Sequence, residues 1–140
     1  MKHKYRKGSS FERELKKLLE EEGFAVVRSA GSKGVDIIAG KDGKILIFEC
    51  KSSSKSKFYV NREDIEKLIT FSKIFGGTPY LAVKLDGEVL FVDPNLLSKR
   101  GKHYPISKEI KVISLSFYEI VGKGKQLRIE EICETKKDEI

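Results

Sequence analysis

VDIIAGKDGKILIFECK, residues 35–51, reads as two short strands joined by a tight turn. Val35 to Ala39 is apolar except for Asp36, and Ile45 to Cys50 is rich in β-formers. Between them Lys41-Asp42-Gly43-Lys44 is a turn, because Asp-Gly supplies the positive φ angles a two-residue hairpin needs. Strand side chains alternate between faces. Leu46, Phe48 and Cys50 therefore share one face, expected to be buried, while Ile47, Glu49 and Lys51 share the other. A carboxylate and an amine thus stand side by side at the end of a core strand, with Asp36 on the strand before. Charges in such a place are costly unless they are paired or hold a metal. No other part of the chain concentrates chemistry in this way.

Upstream, the glycine-containing loop Ala30-Gly31-Ser32-Lys33-Gly34 delivers the chain to Asp36. Its small residues permit close approach of backbone to a phosphate, and a plain connection would look similar. No GxxxxGK[ST] phosphate loop is present. Before it, Phe24 to Ser29 is a strand that includes Arg28. A helix is predicted from Ser9 or Ser10 to about Glu22, ended by Gly23, with Phe11, Leu15, Leu18 and Leu19 as its apolar stripe. Glu12 flanks that stripe and has two readings. Ser9-x-x-Glu12 matches a capping box; alternatively Glu12 faces inward and joins the other carboxylates. Residues 1–8, with Lys2, Lys4, Arg6 and Lys7, show no apolar pattern and are expected as a flexible basic arm suited to phosphates. Residues 9–140 are expected as one domain whose last residues fray.

Downstream, SSSKSK is a polar, basic linker, and Phe58-Tyr59-Val60 leads into a second helix. Asn61 is a good N-cap, Glu63 and Asp64 suit the first turn, and the helix should run to Phe75 and stop at Gly76-Gly77. Ile65, Leu68 and Ile69 make an ordinary core stripe. Phe71, Ile74 and Phe75 extend it round the helix, which points to a subunit contact unless later strands cover it. Thr78 to Leu85 and Glu88 to Val92 are strands joined by Asp86-Gly87. Asp93-Pro94 caps a short helix through Leu97. Residues 98–103 form a basic loop, Ile110 to Leu115 an edge strand, and Ser116 to Val121 a helical turn. A short helix is expected over residues 127–134. The element order gives an α/β fold with a mixed sheet and flanking helices.

The totals set bounds. At 140 residues the chain suits one domain with a real core. No apolar run could span a membrane, and the polar N-terminus lacks a signal-peptide core, so a cytoplasmic protein is expected. Two cysteines, Cys50 and Cys133, supply neither a disulfide framework nor zinc spacing. The formal net charge of +7 implies an acidic partner, nucleic acid ahead of an anionic membrane. The basic arm has no interleaved apolar anchors, which argues against the membrane.

If Glu12, Asp36 and Glu49 meet at one end of the sheet, the three carboxylates suit Mg²⁺, a hard cation that takes oxygen ligands and keeps several waters. Such an ion neutralises phosphate charge and acidifies a bound water. Lys51, beside carboxylates that favour its charged form, suits electrostatic stabilisation better than a base role. The plain alternative is a structural ion-pair cluster in which Lys51 and Arg28 offset the acids.

Asp36 followed by Glu49-Cys50-Lys51 resembles the D…ExK signature of the restriction-endonuclease-like nucleases. More closely, the chain is similar to the archaeal Holliday junction resolvases. The likeness runs through Arg6-Lys7-Gly8, Glu12-Arg13-Glu14-Leu15, residues 23–28 (GFAVVR) and Gly31-Ser32. It continues through Asp36, Glu49-x-Lys51, Tyr59-Val60, Phe71-Ser72 and Gly76-Gly77 to Ala82-Val83-Lys84. It covers roughly residues 5–93. Val35 departs from the Pro that many of the superfamily place before the Asp, and Val suits a strand equally well.

This resemblance implies a restriction-endonuclease-like central mixed sheet flanked by helices. It implies a Mg²⁺-dependent homodimer, with Mn²⁺ as substitute, that cuts four-way DNA junctions by paired nicks. Glu12, Asp36 and Glu49 would be metal ligands together with the Cys50 backbone carbonyl, and Lys51 the catalytic lysine. Arg28 and Ser32 match positions near the scissile phosphate. Lys4, Arg6, Lys7, Arg28 and Lys33 would contact DNA, and Phe71, Ile74 and Phe75 would centre the dimer interface. The competing readings are a restriction- or repair-type nuclease of the same superfamily and a non-catalytic junction-binding protein.

Overall fold

The computed structural model describes residues 2–29 and 34–122, with residues 2–9 as backbone only. Helix α1 spans Lys2–Glu21, followed by β1 (Ala25–Arg28), β2 (Ile37–Lys41), β3 (Lys44–Ser53) and β4 (Lys57–Asn61). Helix α2 (Arg62–Phe75), β5 (Thr78–Leu85) and β6 (Glu88–Val92) come next. A 3₁₀ turn at Pro94–Leu96, β7 (His103–Ser107), a second 3₁₀ turn at Lys108–Val112 and the short α3 (Phe117–Ile120) complete the order.

Five strands form one sheet in the order β1-β2-β3-β5-β6. The β3–β5 pair is parallel and its neighbours are antiparallel. Both tight hairpins were legible: Asp42-Gly43 and Asp86-Gly87 each place two consecutive residues at positive φ, as a two-residue turn between twisted strands requires. Parallel pairing of β3 with β5 demands a long crossover, and α2 lies within it.

Strand β3 is the centre of the packing. On one face α1 brings Phe11, Leu15 and Leu19 onto Ile37, Ala39, Leu46 and Phe48. On the other, α2 covers Ile47 through Leu68, with Val35 alongside. Of the face expected to be buried, Leu46 and Phe48 are essentially inaccessible while Cys50 is only partly buried, and Ile47 on the opposite face is equally dry. A strand covered on both sides reads as a continuous apolar run, which makes the charges that follow it stand out.

The structure corrects four boundaries. Helix α1 begins at Lys2, so residues 2–8, expected as a flexible arm, have helical backbone. Lys and Arg are good helix formers, and the single Gly8 costs only about 1 kcal/mol. Ser9 then sits inside the helix, where there is no helix start for it to cap. Asp36 stands one residue before β2, not within it. Phe58-Tyr59-Val60, expected as a lead-in, belongs to β4 (Lys57–Asn61), which pairs with β7 in a separate two-stranded sheet. The edge strand expected over Ile110–Leu115 is a 3₁₀ turn, with Leu115 alone bridging to Phe91. Ile110 is 7% exposed but Val112 is 90% exposed, so the stretch lacks one consistent buried strand face. The helix expected at 127–134, the fraying expected at the end, and Cys133 lie outside the described residues.

Asn61 flanks α2 as expected but makes no side-chain cap bond, and Gly76 closes the helix in the left-handed conformation with φ of 90°. Among the described residues no helix is long and apolar enough to cross a membrane.

Candidate active site

The hairpin partner of β3 stops early. Strand β2 begins at Ile37, opposite Phe48, so beyond Phe48 no strand among the described residues lies on the β2 side of β3. Asp36 occupies that gap. Its backbone N–H donates to the Phe48 carbonyl at 3.0 Å, and its Oδ2 accepts from the Cys50 N–H at 2.7 Å. Within a strand, the N–H and C=O of one residue point to the same side. The Cys50 carbonyl therefore points towards the side that holds Asp36.

Around this point the predicted acidic residues come together. Glu49 is 3% exposed, on a strand that the two helices exclude from water. Its Oε2 lies 3.7 Å from Lys51 Nζ, whereas Oε1 is buried with no hydrogen-bond partner among the described residues. Burial, followed by the neighbouring Asp36 charge, pushes the Glu49 carboxyl up to about 8. Glu12 approaches from α1. Burial and then Asp36 raise its pKa, and Asp36 is close enough for the two carboxyls to share a hydrogen bond. Arg28, at the end of β1, opposes this rise by binding Glu12 Oε2 through Nε at 3.2 Å and Nη2 at 3.1 Å. The Cys50 thiol is held in its neutral form by burial and by the same three acids.

Lys51 is held from a second element. Its Nζ donates to Asp64 Oδ2 at 2.8 Å, and Lys67 stands 3.8 Å from Asp64 Oδ1. Burial pulls the Lys51 pKa down, but the Asp64 hydrogen bond and the charges of Glu49, Asp64 and Asp36 outweigh it, and the net shift is upward. Lys51 is therefore an ammonium. Sequence reading found Glu12, Asp36, Glu49, Cys50, Lys51 and Arg28, and the structure brings all six into one neighbourhood. It missed Asp64 as a site residue. A carboxylate in the first turn of a helix has a sufficient local explanation in the helix dipole, and no spacing rule ties it to a strand residue 13 positions earlier.

Ser32 and Lys33 lie outside the described residues, as do the side chains of Lys4, Arg6 and Lys7. Phe71, Ile74 and Phe75 sit at the far end of α2. Among the described residues no later strand covers Ile74 or Phe75, which are 83% and 48% exposed, whereas Phe71 is half-buried against the Val35, Ile47 and Leu68 cluster and stacks on Phe75 with ring centroids 5.6 Å apart.

Among the described residues no three His, Cys, Asp or Glu side chains already form a metal-holding group. The donor set nonetheless fits a hard cation. A buried carboxylate with one oxygen lacking any partner, next to a second carboxylate, is an arrangement that a divalent ion relieves. Asp36, Glu49, the Cys50 carbonyl and Glu12 are the residues that could hold it.

The five-stranded mixed sheet flanked by helices, with the buried Glu49 beside the Lys51 ammonium at the end of its central strand, is an α/β fold of the restriction-endonuclease-like class, as the structural match below bears out. The family model described as archaeal Holliday junction resolvase (Hjc) matches residues 3–129. The crossover junction endodeoxyribonuclease Hjc of Methanocaldococcus jannaschii is 69% identical over 132 residues, covering 94% of this chain and 99% of that protein. The enzyme of the same name from Archaeoglobus fulgidus is 34% identical, covering 89% and 96%. The solved structure of A. fulgidus Hjc, a Holliday junction resolvase, superposes with a TM-score of 0.77 at 33% identity, over 84% of this chain and 97% of that one. This chain belongs to the archaeal Holliday junction resolvase family.

Proposed function

We propose that the chain is a crossover junction endodeoxyribonuclease that resolves four-way DNA junctions, depends on Mg²⁺, and makes paired nicks as a homodimer. Family membership and the names of the relatives support the reaction class. The one observation that carries the chemistry is Glu49, a carboxylate buried beside Asp36, with one oxygen that has no partner among the described residues and an ammonium 3.7 Å away. Mg²⁺ held by Glu12, Asp36, Glu49 and the Cys50 carbonyl would neutralise the scissile phosphate and acidify a bound water.

The chain's own residues do the rest. Asp36 is fixed by the Cys50 N–H, so its remaining coordination capacity has a set direction. Arg28 offsets the charge of Glu12, and its guanidinium stands at the edge where a phosphate would arrive. The Lys51 ammonium would stabilise the charge that builds on the phosphate oxygens as the water oxygen bonds to phosphorus and the bond to the deoxyribose oxygen breaks, that oxygen leaving as a hydroxyl with a proton from solvent. Ser32, near the phosphate, and Lys4, Arg6, Lys7 and Lys33, on the backbone, complete the DNA contacts, in line with the net charge of +7. A junction is close to two-fold symmetric, so a C₂ dimer centred on Phe71, Ile74 and Phe75 sets one site on each of two related strands.

The test is a Mg²⁺ titration of cleavage by the purified protein, with a labelled four-way junction and a linear duplex of the same sequence as substrates. Paired nicks in the junction, absent with chelator, are the expected result. Equal cutting of the duplex favours a restriction- or repair-type enzyme, and tight junction binding with no product at any Mg²⁺ concentration removes the catalytic reading.

A further inference from the structure

A lysine side chain ends on a flexible four-carbon stem, so the position of its ammonium must be imposed. The carboxylate nearest in sequence, Glu49, stands 3.7 Å from Lys51 Nζ, whereas Asp64 on α2 stands at 2.8 Å. The tighter hold thus comes from a different element. Asp64 is itself well fixed. It lies in the first turn of α2, where the helix dipole favours a negative charge. Its second oxygen faces Lys67, 3.8 Å away. Ile65 and Leu68, on the same helix, are fully buried against the sheet and keep α2 from sliding. Two carboxylates on separate elements therefore triangulate one ammonium.

We propose that Asp64 is a positioning residue for Lys51: from α2 it holds the lysine ammonium beside Glu49 at the edge of the acidic cluster, where the phosphate arrives. The inference rests on the reading of Lys51 as the catalytic lysine. Asp64 contacts neither substrate nor metal in this scheme. It removes the search that a free lysine would make before each cut.

The test uses the full chain with D64A, D64N and, as reference, K51A. Three quantities are read: the single-turnover rate on a four-way junction at saturating Mg²⁺, junction affinity in chelator, and the ¹³C-edited NMR signals of the Lys51 ε-methylene in the metal-free protein. D64A should cut about a hundredfold more slowly, the scale of loss that small misplacement of a reacting group brings. Its junction affinity should stay that of the wild type, and its melting temperature should fall by no more than a few degrees, the loss of one first-turn acid. The two Lys51 Hε signals, distinct in a tethered side chain, should merge. D64N, which keeps an acceptor oxygen, should recover part of the rate. If D64A cuts at the wild-type rate while K51A is inactive, the tether is wrong and the nuclease reading stands. If rate, affinity and melting temperature all fall together, Asp64 only holds α2 to the sheet and the proposal is overturned. If K51A itself cuts normally, the role of Lys51 fails first.

Discussion

Glu49 carries its carboxyl where water cannot reach it, and that has a cost which pH reveals. In the folded, metal-free protein the group keeps its proton up to about pH 8, whereas its ordinary value is 4.5. Between those values the folded state binds more protons than the unfolded one, so stability from this group is complete below the lower value and is lost as pH rises through the upper one. Glu49→Gln removes that loss. In chelator, the variant should melt with the wild type near pH 5 but be more stable above pH 8, on the order of 1–3 kcal/mol, the cost of one unsatisfied buried polar group. The same variant should cut no junction. Thermal melts across pH check the first statement, and a wild-type curve parallel to that of Glu49→Gln would contradict it. The pairing of a stability gain with loss of activity is what a site strained for function should show. The charged residues of this site were legible because they interrupt an apolar run at a strand end. The Lys51–Asp64 contact was not, because it depends on where a crossover helix lands.

At the scale of elements, local signals were read well and non-local ones were not. The hairpin turns, the end of α2 and the bounds of β5 and β6 follow from residues within a few positions of one another. The pairing of β4 with β7 joins segments separated by a helix and two strands, with Lys57 opposite Ser107, and no periodicity announces it. Gly77 illustrates a close approach that sequence shows only as a helix stop. A Cβ there would stand 2.6 Å from Ile47 Cδ1 and 2.8 Å from Ile45 Cγ2. Ile47 is buried and β-branched, so it cannot swing away. Gly77→Ala should destabilise by about 1–3 kcal/mol, the usual cost of overpacking, read as a lower denaturant midpoint. The other end of α2 presents a different test. Replacing Ile74 and Phe75 by Lys leaves the core untouched, since both are exposed, and should turn a dimer into a monomer in sedimentation velocity. An unchanged mass would move the subunit contact elsewhere.

For the whole molecule the relevant quantity is charge. If, as proposed, a chain of net +7 recognises a junction by shape and phosphate, it should release many counterions on binding. If it contacts as many phosphates as comparable proteins do, affinity should drop by about 10³–10⁵ between 50 and 200 mM salt. Fluorescence anisotropy of a labelled junction in chelator measures this without cutting. A flat salt profile would mean that base contacts, not the backbone, dominate. The fold class was legible in the chain, and the β2–β3 hairpin carried Glu49 and Lys51 with Asp36 just before it; Glu12, on α1, had two readings that only the packing of that helix separates.

The clasp between the Asp36 side chain and the Cys50 N–H has a practical corollary for anyone wishing to trap uncut substrate. Asparagine at this position keeps a carbonyl oxygen to grip the amide and sheds only the charge; alanine forfeits the grip as well. Asp36→Asn should thus be the inert yet sturdy version, and Asp36→Ala the inert and weakened one, a difference that a single pair of melting curves would expose.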